Sequence, residues 1–369
     1  MFHASSDHPT RIAPPLEIVP DQWYAVLESK RLGARPVPVK RLGEELVLYR
    51  TASGAVGAMA DRCPHRGVAL SLGRVVGEEI ECGYHAFRFR ADGACTAMPC
   101  DGRDAKIPNA MRATSFAARE AHGLVWIWWG AAREELPPLP WIPDLPSDEA
   151  HSSDRSFVWP VPAFRAVQSS FDYHHAPVLH GKRSLRFAGS VRHLRRFEEV
   201  AWEADDEGIE LRGVLRREGA PPGGPEIRCH TSFRMPGVSY LRIGSFGRIG
   251  VIDTPIDAST TWRWVRNVSP FGHAFGLGRV LAWVRIELDL RFGTQFPEDL
   301  PIAVTQAHPG EFFSDIYVKA DAGMAQYDRL RSKLLRAARE RADAYPPSVR
   351  LRLGEGKAGR VSLPIAKVA

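Results

Sequence analysis

Cysteine is scarce in this chain, with five among 369 residues. That is too few for a disulfide scaffold and suits a reducing compartment. Long apolar runs are missing as well. The most apolar extended stretch, 276–290, carries Arg279, Arg285, Glu287 and Asp289, which excludes an uninterrupted membrane-spanning helix. Residues 1–15 contain His, Ser, Asp and Pro and no apolar core, so no signal peptide is read there and the expected location is cytoplasmic. Lysine is rare too, 8 residues against 41 arginines, in a chain of net charge +6. This arginine bias reads as coding-sequence composition rather than a nucleic-acid surface. The one dense basic run (Lys182, Arg183, Arg186, Arg192, Arg195, Arg196) is followed by Glu198 and Glu199, with no nucleic-acid-binding motif around it. What remains is ordinary for a globular protein, with 44% hydrophobic and 25% charged residues. The length allows two domains.

Two of the cysteines stand in paired half-sites. Cys63-Pro64-His65 is followed, after a 16-residue gap, by Cys82-Gly83-Tyr84-His85. Each half offers one thiolate and one imidazole. A Rieske [2Fe-2S] cluster needs this set, two Cys on one iron and two His on the other. Structural zinc also accepts Cys2His2, but its familiar spacings group Cys with Cys and His with His. Here each half alternates, and Pro64, Arg66-Gly67 and Gly83-Tyr84 supply two tight loops able to pinch a cluster. Of the remaining Cys95, Cys100 and Cys229, the first two lack a matching second half and read as buried thiols.

The surrounding sequence is strand-rich. Residues 23–27, 46–49 and 125–129 are β-branched and aromatic runs, and Ala91-Asp92-Gly93-Ala94 is a hairpin signal. Five prolines in residues 135–146 exclude helix or central strand there. The expected organisation is an N-terminal tail (1–18), an all-β cluster domain (19–134), a Pro-rich linker (135–149) and a second domain (150–369). In the second domain, strand-like runs begin at Thr231, Val238 and Thr260, and helices are predicted over about 164–176 and over 322–344. The fold class is therefore α+β, with an all-β domain followed by an antiparallel sheet with helices.

A second site lies in Asp172-Tyr173-His174-His175-Ala176-Pro177-Val178-Leu179-His180. Non-haem Fe(II) that activates dioxygen is held by two His and one carboxylate on one face. His175 and His180 are the candidate imidazoles. Five residues apart on a straight helix they would diverge by roughly 140°. Pro177 lies between them, and a helix break there would let them converge. His174 points elsewhere and reads as a packing neighbour. The third ligand must be a downstream carboxylate, with Glu311, Asp315 and Asp321 as candidates.

These motifs resemble the Rieske non-haem iron oxygenases, most closely in feel the branch of aminopyrrolnitrin oxygenase and pheophorbide a oxygenase. Cys63 to Gly67 and Cys82 to Phe87 are similar to that family's cluster loops. Gly83, Ala86 and Phe87 stand where the family often has Pro, Gly and Trp. The resemblance implies a helix-grip, START-like catalytic domain. It implies that Cys63, His65, Cys82 and His85 bind the [2Fe-2S] cluster, that His175, His180 and Asp315 hold mononuclear Fe(II), with Asp321 second for the carboxylate, and that Asp172 is catalytic. In that role Asp172 bridges His175 and the cluster ligand His85 of a neighbouring subunit. Gln168, Ser169 and Ser170 occupy the stretch where the family often carries Asn.

The same resemblance implies a homotrimer, O2 as co-substrate and an apolar, aromatic small-molecule substrate that is hydroxylated, N-oxygenated or oxidatively cyclised, in the manner of natural-product tailoring. Gly276-Leu277-Gly278 lacks the third glycine of a dinucleotide fingerprint. Electrons are therefore expected from a separate NAD(P)H-dependent flavin reductase, with or without a ferredoxin. The basic run reads as a solvated face, or else as a docking patch for an acidic electron carrier. The rival expectation is a non-enzymatic Rieske electron-transfer protein with a ligand-binding second domain.

Overall fold

A computed structural model describes residues 16–102, 104, 106–147, 152–180, 194–217, 224, 226–244, 247–268, 280, 283–284, 287, 298–306, 315–341 and 344–346. The N-terminal part is all β. Strands β1 (Gln22–Glu28), β10 (Ala118–Ala121) and β11 (Leu124–Trp129) form one antiparallel sheet in the order β1-β11-β10. Strands β2 (Val37–Arg41), β3 (Glu44–Arg50), β4 (Val56–Ala60) and β9 (Ser115–Phe116) form a second. Four short strands, β5 (Arg74–Val76), β6 (Glu79–Glu81), β7 (Arg88–Arg90) and β8 (Cys95–Ala97), form the third. The 91–94 turn joins β7 to β8, with Gly93 at φ +85°.

The second domain is built on a seven-stranded antiparallel sheet. Its strands are β12 (Ser152–Trp159), β13 (Leu194–Ala204), β14 (Gly208–Arg217), β15 (Glu226–Arg234), β16 (Val238–Ile243), β17 (Gly247–Pro255) and β18 (Thr261–Val268), in the order β12-β18-β17-β16-β15-β14-β13. One face carries helices. Val167, Phe171 and Tyr173 pack with Ile209, Leu211, Phe233, Tyr327, Leu330 and Leu335 into one core. Tyr327, Leu330 and Leu335 recur at helical spacing, so one side of the C-terminal helix Ala322–Arg339 is committed to the sheet. That helix ends five residues before the predicted 344.

The other face of this sheet packs on the N-terminal domain. Trp23, Trp126 and Trp128 share a core with Tyr240, Ile252, Trp262 and Trp264. The Pro-rich stretch belongs to this seam. Ile142 and Leu145 are buried in it, and the Pro137 carbonyl accepts a hydrogen bond from Trp23 Nε1 at 2.9 Å. Arg266, fully buried, holds Asp154 through Nε and Nη2 at 2.8 and 2.7 Å. It also donates to the carbonyls of Pro146 and His122. The strap, an N-terminal-domain turn and the second-domain sheet are thereby tied at one point.

Two expectations need correction here. The helix predicted over 164–176 is instead α1 (Ala163–Gln168), a set of turns, and α2 (Ala176–Leu179). Local side chains end it early. Asp172 Oδ1 accepts the backbone N–H of His174 at 3.0 Å and of His175 at 3.2 Å, an Asx turn that competes with helix. Of the three extra cysteines, only Cys229 is buried; Cys95 is intermediate and Cys100 exposed. Residues 182, 183, 186 and 192 of the basic run lie outside the described residues, as does Glu311.

Candidate metal centres

The first centre is framed by two loops of one design. The first lies between β4 and β5, the second between β6 and β7. In each, a cysteine opens a turn that closes four residues later. Gly67 N–H donates to Cys63 O at 2.8 Å, and Ala86 N–H donates to Cys82 O at 3.0 Å. The closing residues have left-handed backbones, Gly67 at φ +72° and Ala86 at φ +56°. Glycine takes this conformation freely, whereas alanine meets its own Cβ. The loops also touch. A Cβ on Gly73 would fall 1.9 Å from the Glu81 carbonyl oxygen and 3.1 Å from the Gly83 nitrogen. Only a glycine permits that crossing.

Charged groups brace the frame. Buried Glu81 accepts from Arg74 Nε and Arg88 Nε, both at 2.8 Å. Asp61 accepts the Ser71 N–H and hydroxyl at 2.7 and 2.6 Å.

Cys63 and Cys82 are buried and close enough to hydrogen-bond, while His65 and His85 are half-buried with ring centroids 4.9 Å apart. Burial, and then the neighbouring Cys82, pushes the Cys63 thiol up to about 11. Two thiolates side by side therefore need a cationic partner, as an iron centre provides. The thiols face inward and the imidazoles outward. This donor set fits a two-iron cluster with Cys on the inner iron and His on the outer.

The second centre lies on the helical side of the sheet. His175 and His180 flank the single turn α2, with Pro177 in its first turn. Proline there starts a new helix rather than kinking a continuous one. The result is the same closeness, with the two Nε2 atoms 3.2 Å apart. A metal–nitrogen bond of about 2.1 Å allows such a separation. Each Nδ1 has a carboxylate behind it, Asp172 Oδ2 at 3.3 Å from His175 and Glu298 Oε2 at 2.7 Å from His180.

The acid beside the two Nε2 atoms is Asp299. Its Oδ1 is 3.4 Å from His180 Nε2 and 3.8 Å from His175 Nε2. These three are the described residues whose ligand atoms gather within 4.8 Å of one another.

Asp315, the expected ligand, is not brought to this pair. Both its oxygens are taken by Arg165 of α1, one from Nη2 at 2.8 Å. Asp321 is occupied too, accepting the Val318 N–H at 2.9 Å ahead of the C-terminal helix. Sequence reasoning missed Asp299 and Glu298, although adjacent acids between Pro297 and Pro301 were a signal of a fixed turn. Gln168, buried in α1, gives its amide to Asp328 at 3.0 and 2.9 Å.

Electrostatics separate the two histidines. Burial, with the adjacent His175, pushes His180 down to about 3, so its ring is neutral, as ligation requires. Burial would also lower His175, but the Asp172 hydrogen bond and charge, with Asp299, raise it above the usual value. Asp172 itself is held low, because the hydrogen bonds and charge of His175 outweigh its burial.

Residues 22–113 match the Rieske [2Fe-2S] domain. Over 133 residues the chain is 41% identical to the 3-chlorobenzoate-3,4-dioxygenase oxygenase subunit of Comamonas testosteroni, covering 35% of this chain and 31% of that one. Over 208 residues it is 26% identical to the chloroplastic protein TIC 55 of Arabidopsis thaliana, covering 53% and 38%. The matched segments thus span about a third of these relatives' lengths. The structure of dicamba monooxygenase bound to dicamba superposes with a TM-score of 0.71 at 20% identity, over 88% of this chain and 99% of that one.

The chain therefore carries a Rieske [2Fe-2S] domain. With the second domain included, its fold is shared with dicamba monooxygenase.

Proposed function

We propose that this protein is the oxygenase component of a Rieske non-haem iron system, oxidising an apolar small molecule with O2. One observation carries the reading. A Rieske domain and a two-histidine, one-carboxylate group, His175, His180 and Asp299, occur in one chain. In this reading Cys63, His65, Cys82 and His85 hold the cluster, and His175, His180 and Asp299 hold the mononuclear iron. When bound, the two centres supply electron relay and reductive activation of O2.

The chain's own residues bind, orient and insulate. Cys63 and Cys82 keep the inner edge of the cluster site dry, while His65 and His85 form its outer edge. Asp172 fixes the ring of His175 from behind while remaining about a third exposed. That exposed side is free to meet His85 of another copy, as the trimer expectation requires. Buried Tyr173 gives or takes a hydrogen bond with Thr231 at 2.6 Å, holding the Asp172–His175 turn against the sheet.

Electrons would come from a separate reductase. Among the described residues no helix is long and apolar enough to cross a membrane. One reported relative acts on 3-chlorobenzoate by name, which favours an aromatic substrate for this chain as well.

Iron analysis with electron paramagnetic resonance tests the reading. Fully loaded protein should contain about three iron per chain, two of them in a Rieske-type signal. A His175→Ala/His180→Ala double variant should lose one iron and keep the signal. Two iron in the fully loaded wild type would instead mean an electron carrier, and zinc would overturn both readings.

A further inference from the structure

We infer that Glu298 is a positioning residue for His180, fixing one ring nitrogen so that the other is presented to a metal. The inference rests on the metal-centre reading above. His180 is addressed at both ring nitrogens by consecutive residues. Glu298 Oε2 is 2.7 Å from Nδ1, and Asp299 Oδ1 is 3.4 Å from Nε2. Both acids lie immediately ahead of the helix Leu300–Gln306. A single two-residue segment therefore straddles the imidazole.

The chemistry of the contact sets the tautomer. A carboxylate only accepts, and a neutral imidazole has one N–H. At 2.7 Å, Nδ1 must carry the hydrogen and donate it to Glu298. The lone pair then sits on Nε2, which faces His175 Nε2 and Asp299. A ligating histidine needs this arrangement, and a carboxylate behind the ring also makes it a better donor. The Glu298 and His180 side chains are 5% and 8% exposed, so bulk water does not compete for the contact.

His175 has a comparable partner in Asp172, but a looser one. That contact is longer, 3.3 Å, and the same carboxylate also accepts two backbone N–H groups and is 30% exposed. The two carboxylates thus divide the work. Asp172 holds the histidine that looks outward, and Glu298 anchors the one that looks inward. A buried carboxylate is costly unless paired. Retaining one behind His180 makes sense when the ring passes its charge on to a cation.

The test uses the full chain with its cluster loaded and the mononuclear site cleared by chelation, titrated with Co(II). Glu298→Gln keeps shape but loses charge; Glu298→Leu loses the acceptor; Glu298→Asp keeps charge at a shorter reach. Gln and Leu should weaken Co(II) binding about 10- to 100-fold and alter the Co(II) visible spectrum, with Asp restoring part of both. The cluster absorption should stay unchanged in all three. Wild-type affinity and spectrum in the Gln and Leu variants would overturn the inference while leaving the centre intact. Should Leu fail to fold, Gln decides alone. A wild type whose Co(II) binding survives His175→Ala/His180→Ala would instead overturn the centre itself.

Discussion

His175 and His180 point their Nε2 atoms at each other across 3.2 Å, each with a carboxylate at its back. Two ring nitrogens so placed repel unless a proton or a cation lies between them. Which carboxylate completes the group is the sharpest departure from what the sequence suggests.

Asp299→Ala should remove the mononuclear iron and leave the cluster signal. Asp315→Asn should leave both, because Asp315 serves Arg165 and is partly exposed. Its loss should cost about 1 kcal/mol of stability at most. Iron per chain and a denaturant curve separate the two variants, and iron loss in Asp315→Asn alone would reverse the assignment.

The cluster loops make a matched pair of expectations. Ala86→Gly relieves a left-handed alanine and should stabilise the folded chain by about 1 kcal/mol, with the visible spectrum unchanged. Gly73→Ala drives a Cβ into the Glu81 carbonyl and should force the loops apart. The readout is cluster content after purification, which should fall sharply only in the second variant.

Arg266 anchors three parts of the chain from a fully buried position. Arg266→Ala removes the buried guanidinium that holds Asp154 and should cost about 3–5 kcal/mol. Changing both residues together, Arg266→Met with Asp154→Leu, should cost much less. Thermal unfolding of the single and double variants provides the comparison, and equal losses would refute the pairing argument.

Alkaline pH should weaken the fold through Cys229. Burial pushes its thiol up from 9.0 to about 12. The folded state therefore keeps a proton that the unfolded state releases above pH 9. Stability from this group is complete below pH 9 and is lost as pH rises toward 12, by up to about 1.4 kcal/mol per unit. Cys229→Ala should flatten the pH 9–11 slope in urea melts, and an unchanged slope would show that other groups set it.

Much of the site was legible because its residues cluster in sequence. Cys63/His65, Cys82/His85 and Asp172/His175/His180 each lie within a few residues, where spacing carries chemical meaning. Asp299 is 119 residues from His180, and spacing says nothing across that distance. Asp315 looked the better acid because an apolar run follows it. That run, Ile316 to Val318, proves to be exposed, while Arg165 claims the carboxylate. Strands β1, β3, β11, β15, β16 and β18 could be read from β-branched and aromatic runs. The helix over 164–176 could not, since Ser169 and Asp172 divert the backbone through hydrogen bonds that a periodicity argument ignores.

The tryptophan seam has a consequence for control. Trp23, Trp126 and Trp128 share one core with Trp262 and Trp264, and the Pro-rich strap is packed into it. Neither half can swing against the other without exposing that core. Within one chain the separation between the cluster loops and the His175–His180 pair is thus a constant of construction. Under the proposed function, any throttle on electron flow must act through smaller parts, such as a side-chain rotation, a proton on a relay group, or the arrival of the substrate.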